Sequence, residues 1–189
     1  MAGGRASRFG GQDKSRLVIE GRSIIVRQVD VLQRVATEVL VVGGSPDRFA
    51  DLGLTVVPDR VPDAGAMGGV YTALDAARAD RVLVVACDLP FLHEGLLGRL
   101  AALAAGSHDG AWVRGPRGIE PLLACYRREA RARIRQEMAA GRLQLNRLDR
   151  VLRMAELGDG ELRAFGAPDR LLANVNSPAD YARVQYPPS

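Results

Sequence analysis

The chain has 189 residues, 47% of them hydrophobic and 25% charged, with 21 Gly and 10 Pro. This composition predicts one soluble globular domain spanning residues 1–189, able to bury roughly 70% of its unfolded surface without disulfides or a structural metal, and it excludes a disordered tail protein or a repeat array. The formal net charge of +4 suits anionic small molecules, while scattered arginines and only 5% aromatic residues argue against a nucleic-acid partner.

The amino-terminal residues Met1 to Arg8 form no apolar stretch that could serve as a signal peptide. No run along the chain reaches the roughly 18 apolar residues of a membrane span. Cys87 and Cys125 lie far apart, with no C-x-x-C spacing, so the expected setting is a reduced cytoplasm.

Apolar residues at helical spacing predict a first helix over Ile24 to Val35. The runs Val39–Val42, Leu54–Val57 and Val82–Ala86 are continuous rather than alternating, as in strands buried on both faces. Helices are expected over Val70 to Ala79, Leu96 to Ala105 and Glu129 to Ala140. Gly110–Val113 and Leu122–Tyr126 read as two strands around the turn Gly115-Pro116-Arg117-Gly118. A last helix starts at Ser177-Pro178, a cap followed by proline at the first helical position. Strands alternating with helices predict an α/β sheet flanked by helices.

Four stretches carry chemistry. Residues Gly3 to Lys14 (GGRASRFGGQDK) pack four glycines, Arg5, Arg8 and Lys14 into a dozen positions. Glycines let backbone N–H groups approach a phosphate closely, and the three cations would neutralise a triphosphate, although the glycines alone also suit a flexible tail. Asp13 stands where a P-loop needs glycine, so this is not that motif. Lys14 is the sole lysine among 26 basic residues, a hint that its position calls for a compact ammonium rather than a guanidinium.

Asp88 ends the Val82–Ala86 strand, at the sheet edge where open α/β sheets bind ligands; a carboxylate there can hold Mg²⁺ or merely cap the next turn. Cys87 reads as a small buried filler, and His93 and His108 as surface residues. Asp59 likewise follows a strand, and Gly68-Gly69 beyond it would admit a ribose or base closely, or form an ordinary tight turn; Gly43-Gly44 is equally open. Asn174 and Asn176 alternate along an extended segment, so both amides point one way, although Asx turns ahead of a helix explain them as well.

Taken in order, G-G-R-A-S-R-F-G-G-Q-D-K, P-D at 58–59, G-x-x-G-G at 65–69, C-D-x-P at 87–90, E-P-L at 120–122 and N-x-N-S-P at 174–178 resemble the molybdenum cofactor guanylyltransferases of the MobA type, over essentially the whole chain. The resemblance implies a Rossmann-like three-layer α/β/α nucleotidyltransferase fold with a mostly parallel sheet. It implies transfer of GMP from Mg-GTP to molybdopterin-bound molybdenum, with release of pyrophosphate. Ala2, Gly3, Gly4, Lys14 and Asp59 match nucleotide-contacting positions, and Asp88 matches the Mg²⁺ ligand. Asn174 and Asn176 match a segment facing the pterin. Gly43 stands nearest to where the family commonly has an asparagine. Partners are thus GTP and the pterin cofactor, with transient contact to cofactor-inserting chaperones or oxidoreductases. The family also places an apolar strand ahead of its G-G, where this sequence has only Met1 and Ala2. The expectation is a truncated first strand, from a late-assigned start or a shortened chain.

Overall fold

The computed structural model describes residues 13–186. After a short 3₁₀ turn at Lys14–Arg16 comes a tight antiparallel hairpin, β1 (Val18–Ile19) and β2 (Arg22–Ser23), whose turn takes Glu20 and Gly21 to positive φ. Helix α1 (Ile24–Val35) follows, then β3 (Leu40–Val42) and β4 (Thr55–Val57), which pair in parallel with Leu40 opposite Thr55. Helix α2 (Gly65–Ala76) leads to β5 (Arg81–Val85), and α3 (Glu94–Leu103) follows. Strands β6 (Gly110–Gly115) and β7 (Gly118–Arg127) form a hairpin across the expected Pro116-Arg117 turn. Helix α4 (Arg131–Ala139), strand β8 (Met154–Leu157), short helices α5 (Asp159–Leu162) and α6 (Pro168–Leu171), and α7 (Pro178–Gln185) complete the described chain.

Strands β5, β7, β6 and β8 form one sheet in that order. β6 and β8 run parallel, while β7 is antiparallel to both of its neighbours. Strand β5 alternates between two apolar layers. Leu83 and Val85 join α1 and α3 through Leu32, Leu96, Leu97 and Leu100, and Val82 and Val84 join α2 and α4 through Met67, Val70, Leu74 and Ile134. A strand covered on both sides in this way must be apolar throughout, which is why β5 reads as an unbroken run. The expected three layers are therefore present.

Several boundaries differ from expectation. Helix α2 begins at Gly65 rather than Val70, so the glycine-rich stretch 65–69 is helical and not a loop. Glycine is needed at 68 because a Cβ there would lie 2.8 Å from the Ala64 Cβ and 3.1 Å from the Val61 carbonyl oxygen. Strand β7 starts four residues before the expected Leu122, and β8 was not anticipated at all.

One buried side chain ties this frame to the strand ends. Gln28, on α1, is only 4% exposed, and its Nε2 donates to the carbonyls of Ala86 and Leu89, both at 2.8 Å. Replacing it by leucine would leave two carbonyls without a donor, at about 1–3 kcal/mol for a buried unsatisfied group. We expect Gln28→Leu to lower the urea midpoint correspondingly; an unchanged midpoint would show that this bridge does not hold the turn after β5.

Candidate active site

Asp13 builds the first part of the site. Its backbone is extended, and its Oδ1 accepts from the Ser15 amide at 3.0 Å and the Ser15 hydroxyl at 2.7 Å, starting a single 3₁₀ turn over Lys14–Arg16. The same carboxylate receives Arg48 in a two-point bridge, Nε to Oδ2 and Nη2 to Oδ1, both at 2.7 Å. Arg48 follows β3 by way of Gly43 and Gly44, whose φ values of 91° and 94° favour glycine. A Cβ on Gly44 would also approach Arg48 Cδ to 2.9 Å. Burial alone would raise the Asp13 carboxyl, but the Arg48 and Ser15 hydrogen bonds and the Arg48 charge outweigh it and hold the group below the usual carboxylate range.

Lys14 is thereby aimed across the sheet edge. Its Nζ donates to Asn176 Oδ1 at 3.1 Å. Asn176 sits in an extended segment fixed at both ends. Before it, the Val175 amide donates to the Asp88 carbonyl at 3.0 Å. After it, Ser177 caps α7 reciprocally with Asp180, the Asp180 amide donating to Oγ at 3.2 Å and Oγ donating to Oδ2 at 2.8 Å. Val175 is fully buried with Ile19, Ile24 and Phe91, so its neighbours Asn174 and Asn176 alternate away from that core, as the extended spacing predicted.

Asp88 lies just beyond β5, where the Ala86 amide donates to the Leu122 carbonyl at 2.8 Å. Burial pushes its carboxyl above the usual range, against the opposing pull of the Lys14 ammonium. Glu120, on β7, is raised in the same sense by burial; Asp88 adds to the shift and Arg117 opposes it. Lys14 and Asp88 are thereby brought together beyond the carboxyl end of β5, through Asn176 and the Val175 amide, with Glu120 near enough for its carboxyl to feel that of Asp88. Two half-buried carboxyls on one side of a lysine suit a divalent cation, which would offset the cost of ionising both. Among the described residues no group of three His, Cys, Asp or Glu could enclose a metal, so the remaining ligands would be water and substrate oxygens.

The other expected residues lie at the end of β3, beyond β4 and in α2. Gly43 is buried at the end of β3, its amide donating to the Val57 carbonyl at 3.0 Å. Asp59 is exposed just beyond β4. Gly68 and Gly69 are buried inside α2, where the Gly68 carbonyl accepts from Thr72 Oγ1 at 2.8 Å. Ala2, Gly3, Gly4, Arg5 and Arg8 lie outside the described residues. Burial raises both thiols, Cys125 to about 11, in keeping with inert fillers, and both histidines are exposed as expected. Arg48 and the Asp88–Glu120 pairing were not anticipated. The only sequence signal for the latter was the E-P-L triplet.

A family model described as the MobA-like NTP transferase domain matches residues 1–158. A protein from Chloroflexus aggregans called a probable molybdenum cofactor guanylyltransferase is 35% identical over 195 residues, covering 98% of this chain and 91% of its own. One of the same name from Pelotomaculum thermopropionicum is 31% identical, covering 98% of this chain and 89% of its own. In fold, the chain is similar to molybdopterin-guanine dinucleotide biosynthesis protein A from Archaeoglobus fulgidus, with a TM-score of 0.78, 22% identity and 97% and 94% of the two chains covered.

The lowered Asp13 carboxyl makes a signed prediction. A group depressed in the folded state contributes stability above its unfolded value, near 3.9, and loses that contribution as pH falls through the folded value. Asp13→Asn should therefore be less stable than the parent at neutral pH, with the gap closing as pH falls below the ordinary carboxylate range. Urea midpoints across that range test it, and a gap that is constant or widens in acid would contradict the Arg48 bridge.

Proposed function

The chain belongs to the MobA-like NTP transferase family, and on that premise we propose that it transfers GMP from GTP to molybdopterin-bound molybdenum, forming the guanine dinucleotide cofactor and pyrophosphate. The observation that carries the reading is the proximity of Lys14 to Asp88, the lysine bonded to Asn176 and the adjacent Val175 amide bonded to the Asp88 carbonyl.

An oxygen of the acceptor's terminal phosphate attacks the α-phosphorus of GTP. The new O–P bond replaces the bond to the β-phosphate, and pyrophosphate leaves with that electron pair. The acceptor brings its own nucleophile, so the protein's task is to align two polyanions and offset their repulsion. In this proposal Lys14 contacts the phosphates, and Asn176 keeps its ammonium in place from the side. Ala2, Gly3, Gly4, Arg5 and Arg8 are assigned to the same phosphate-binding role. Asp88, supported by Glu120, would hold a divalent cation, assigned here as Mg²⁺, which supplies charge stabilisation at the phosphoryl oxygens. Asp59 and the Gly43, Gly68 and Gly69 region are assigned to the nucleoside side, and Asn174 to the pterin side. Hand-over through transient contact with cofactor-inserting chaperones or oxidoreductases belongs to the same proposal.

Pyrophosphate release in the presence of molybdopterin-bound molybdenum, measured with each of the four triphosphates, tests this directly. GTP should be preferred, and a chelator should abolish the signal. Asp88→Ala should lower turnover by about 10²–10³, the usual scale for losing one electrostatic stabiliser. Lys14→Arg keeps the charge but changes its shape and should also lose most activity. Preference for CTP, or an Asp88→Ala variant of parental rate at saturating Mg²⁺, would overturn the assignment.

A further inference from the structure

Beyond Glu120 the β6–β7 hairpin carries a second concentration of charge. An open cavity of about 530 Å³ lies between the hairpin tip and a 3₁₀ stretch at Leu145–Arg150. Arg114 and Arg117 line it from the hairpin, and Gln144, Arg147, Asp149 and Arg150 from the other side.

Both walls are held in place. The register between β6 and β7 slips after Trp112, which pairs with Ala124 while Val113 pairs with Glu120, so Pro121, Leu122 and Leu123 are extra residues on β7 against β6. A bulge of this kind bends the strand and re-aims the side chains beyond it. On the opposite wall, Leu145 and Leu148 pack with Ile119 in the α2–α4 layer. Buried Glu137 of α4 receives Arg142 at 2.7 and 2.6 Å and has Arg147 Nε at 3.9 Å.

Four arginines against one aspartate leave the lining with three surplus positive charges. Glu156 takes up one of them, bridging Arg114 Nε and Nη2 at 2.6 Å each. Among the described residues Arg150 makes no hydrogen bond or ion pair, and Arg117 makes a long one, Nη2 to the Leu172 carbonyl at 3.4 Å. A guanidinium keeps its charge at physiological pH, so repulsion inside this cluster is not relieved by loss of a proton and calls for a counter-anion.

The cavity adjoins the candidate active site without including Lys14 or Asp88. β7 runs antiparallel to β5 with Leu123 opposite Val85, so Glu120 and then Arg117 lie successively further past the carboxyl end of β5. Arg117 is close enough to Glu120 to oppose the rise of its carboxyl. Through the Leu172 carbonyl it also meets the stretch that leads to Asn174 and Asn176.

We propose that this arginine cavity binds a multiply charged oxyanion, and that in the proposed reaction it receives the molybdenum-bearing end of the acceptor. That acceptor is anionic at two places, its terminal phosphate and its molybdenum centre with oxygen ligands. The phosphate must meet the α-phosphorus beside Lys14 and Asp88. A cavity set off from that point by Glu120 and Arg117 is placed for the other anionic end, and its volume has room for more than a lone tetrahedral ion. The planar fork of arginine suits paired oxygens, and the Gln144 amide adds a neutral donor. The acceptor assignment rests on the guanylyl-transfer reading, whereas oxyanion binding by the cavity stands without it.

Molybdate and inorganic phosphate are the probes, titrated calorimetrically into the full chain at low ionic strength without nucleotide. Both should bind, and Arg150→Gln should weaken each by about tenfold, the scale of one charge-assisted hydrogen bond. Arg150 is not among the charges that act on Glu120, so this loss would not travel through that carboxyl. Asp149→Asn removes the one acid of the lining and should tighten binding. Arg163→Gln, at an exposed arginine outside the cavity, should change nothing. Equal losses at Arg150 and Arg163, or no loss at Arg150, would overturn oxyanion binding here. Displacement of molybdate by GTP would do the same, because the ion would then sit at the triphosphate site. Turnover separates the acceptor from a free ion. With molybdopterin-bound molybdenum, Arg150→Gln should raise the acceptor KM about tenfold while kcat and the KM for GTP hold; with metal-free molybdopterin the variant should match the parent. An unchanged KM for the molybdenum-bearing acceptor would overturn the acceptor assignment. A chain that did not turn over GTP would fail the guanylyl-transfer reading and leave the titrations as they stand.

Discussion

The site depends on one carboxylate that never meets substrate in the proposed reaction. Asp13 caps the turn that presents Lys14 and also receives the bidentate Arg48 bridge, with about a fifth of each side chain exposed. A partly buried, two-point pair of this kind fixes orientation in a way that an exposed ion pair does not. It joins two segments 35 residues apart, one following the glycine-rich stretch and one following β3. Glycine at 13, as in a P-loop, would free the backbone but remove both the cap and the anchor. In the proposed reaction this is a different solution to aiming a lysine at phosphates, with a side-chain brace in place of a helix start.

Charge on the opposite wall follows a complementary logic. Asp88 and Glu120 are each raised by burial, and Asp88 adds to the shift at Glu120. Lys14 and Arg117 relieve this only in part. In the proposed reaction a divalent ion carrying a polyphosphate would offset the cost of ionising both carboxyls, while the phosphates meet Lys14.

What was legible in the sequence is what burial writes into single strands. β3 and β5 stood out because each packs against helices and is largely apolar, and β4 because Val56 and Val57 follow an exposed Thr55 in an otherwise β-branched run. β8 did not, because Met-Ala-Glu-Leu has the intrinsic preferences of a helix and becomes a strand only by pairing with β6, with Glu156 turned outward to Arg114 at 2.6 Å. The glycines at 65–69 were misread because close packing and positive φ leave the same letter in the sequence; at Gly68 the reason is crowding against Ala64 and Val61 within a helix. At the site, Lys14 was conspicuous as the only lysine, and Asp88 as the end of a buried run. Arg48 was invisible among 25 arginines, and the approach of Glu120 to Asp88 depends on β7 pairing antiparallel to β5, a tertiary fact with no local signature.

The two walls of the groove belong to different sheet fragments. Arg48, and through it Asp13 and Lys14, is anchored beyond β3, while Asp88 and Glu120 ride on β5 and β7. Their relative position is held by links across the gap, namely Gln28 reaching from α1 to the turn after β5, and the Lys14–Asn176 bond completed by Val175 on the Asp88 carbonyl. Apolar side chains add to these polar links, because Ile25, Val29 and Leu32 of α1 and Ala73 of α2 lie beside residues of both β3 and β5. Alignment of Lys14 with Asp88 is therefore carried by side chains of α1 and of the segment around Asn176, and a loss at Gln28 would reach the proposed site through the turn after β5.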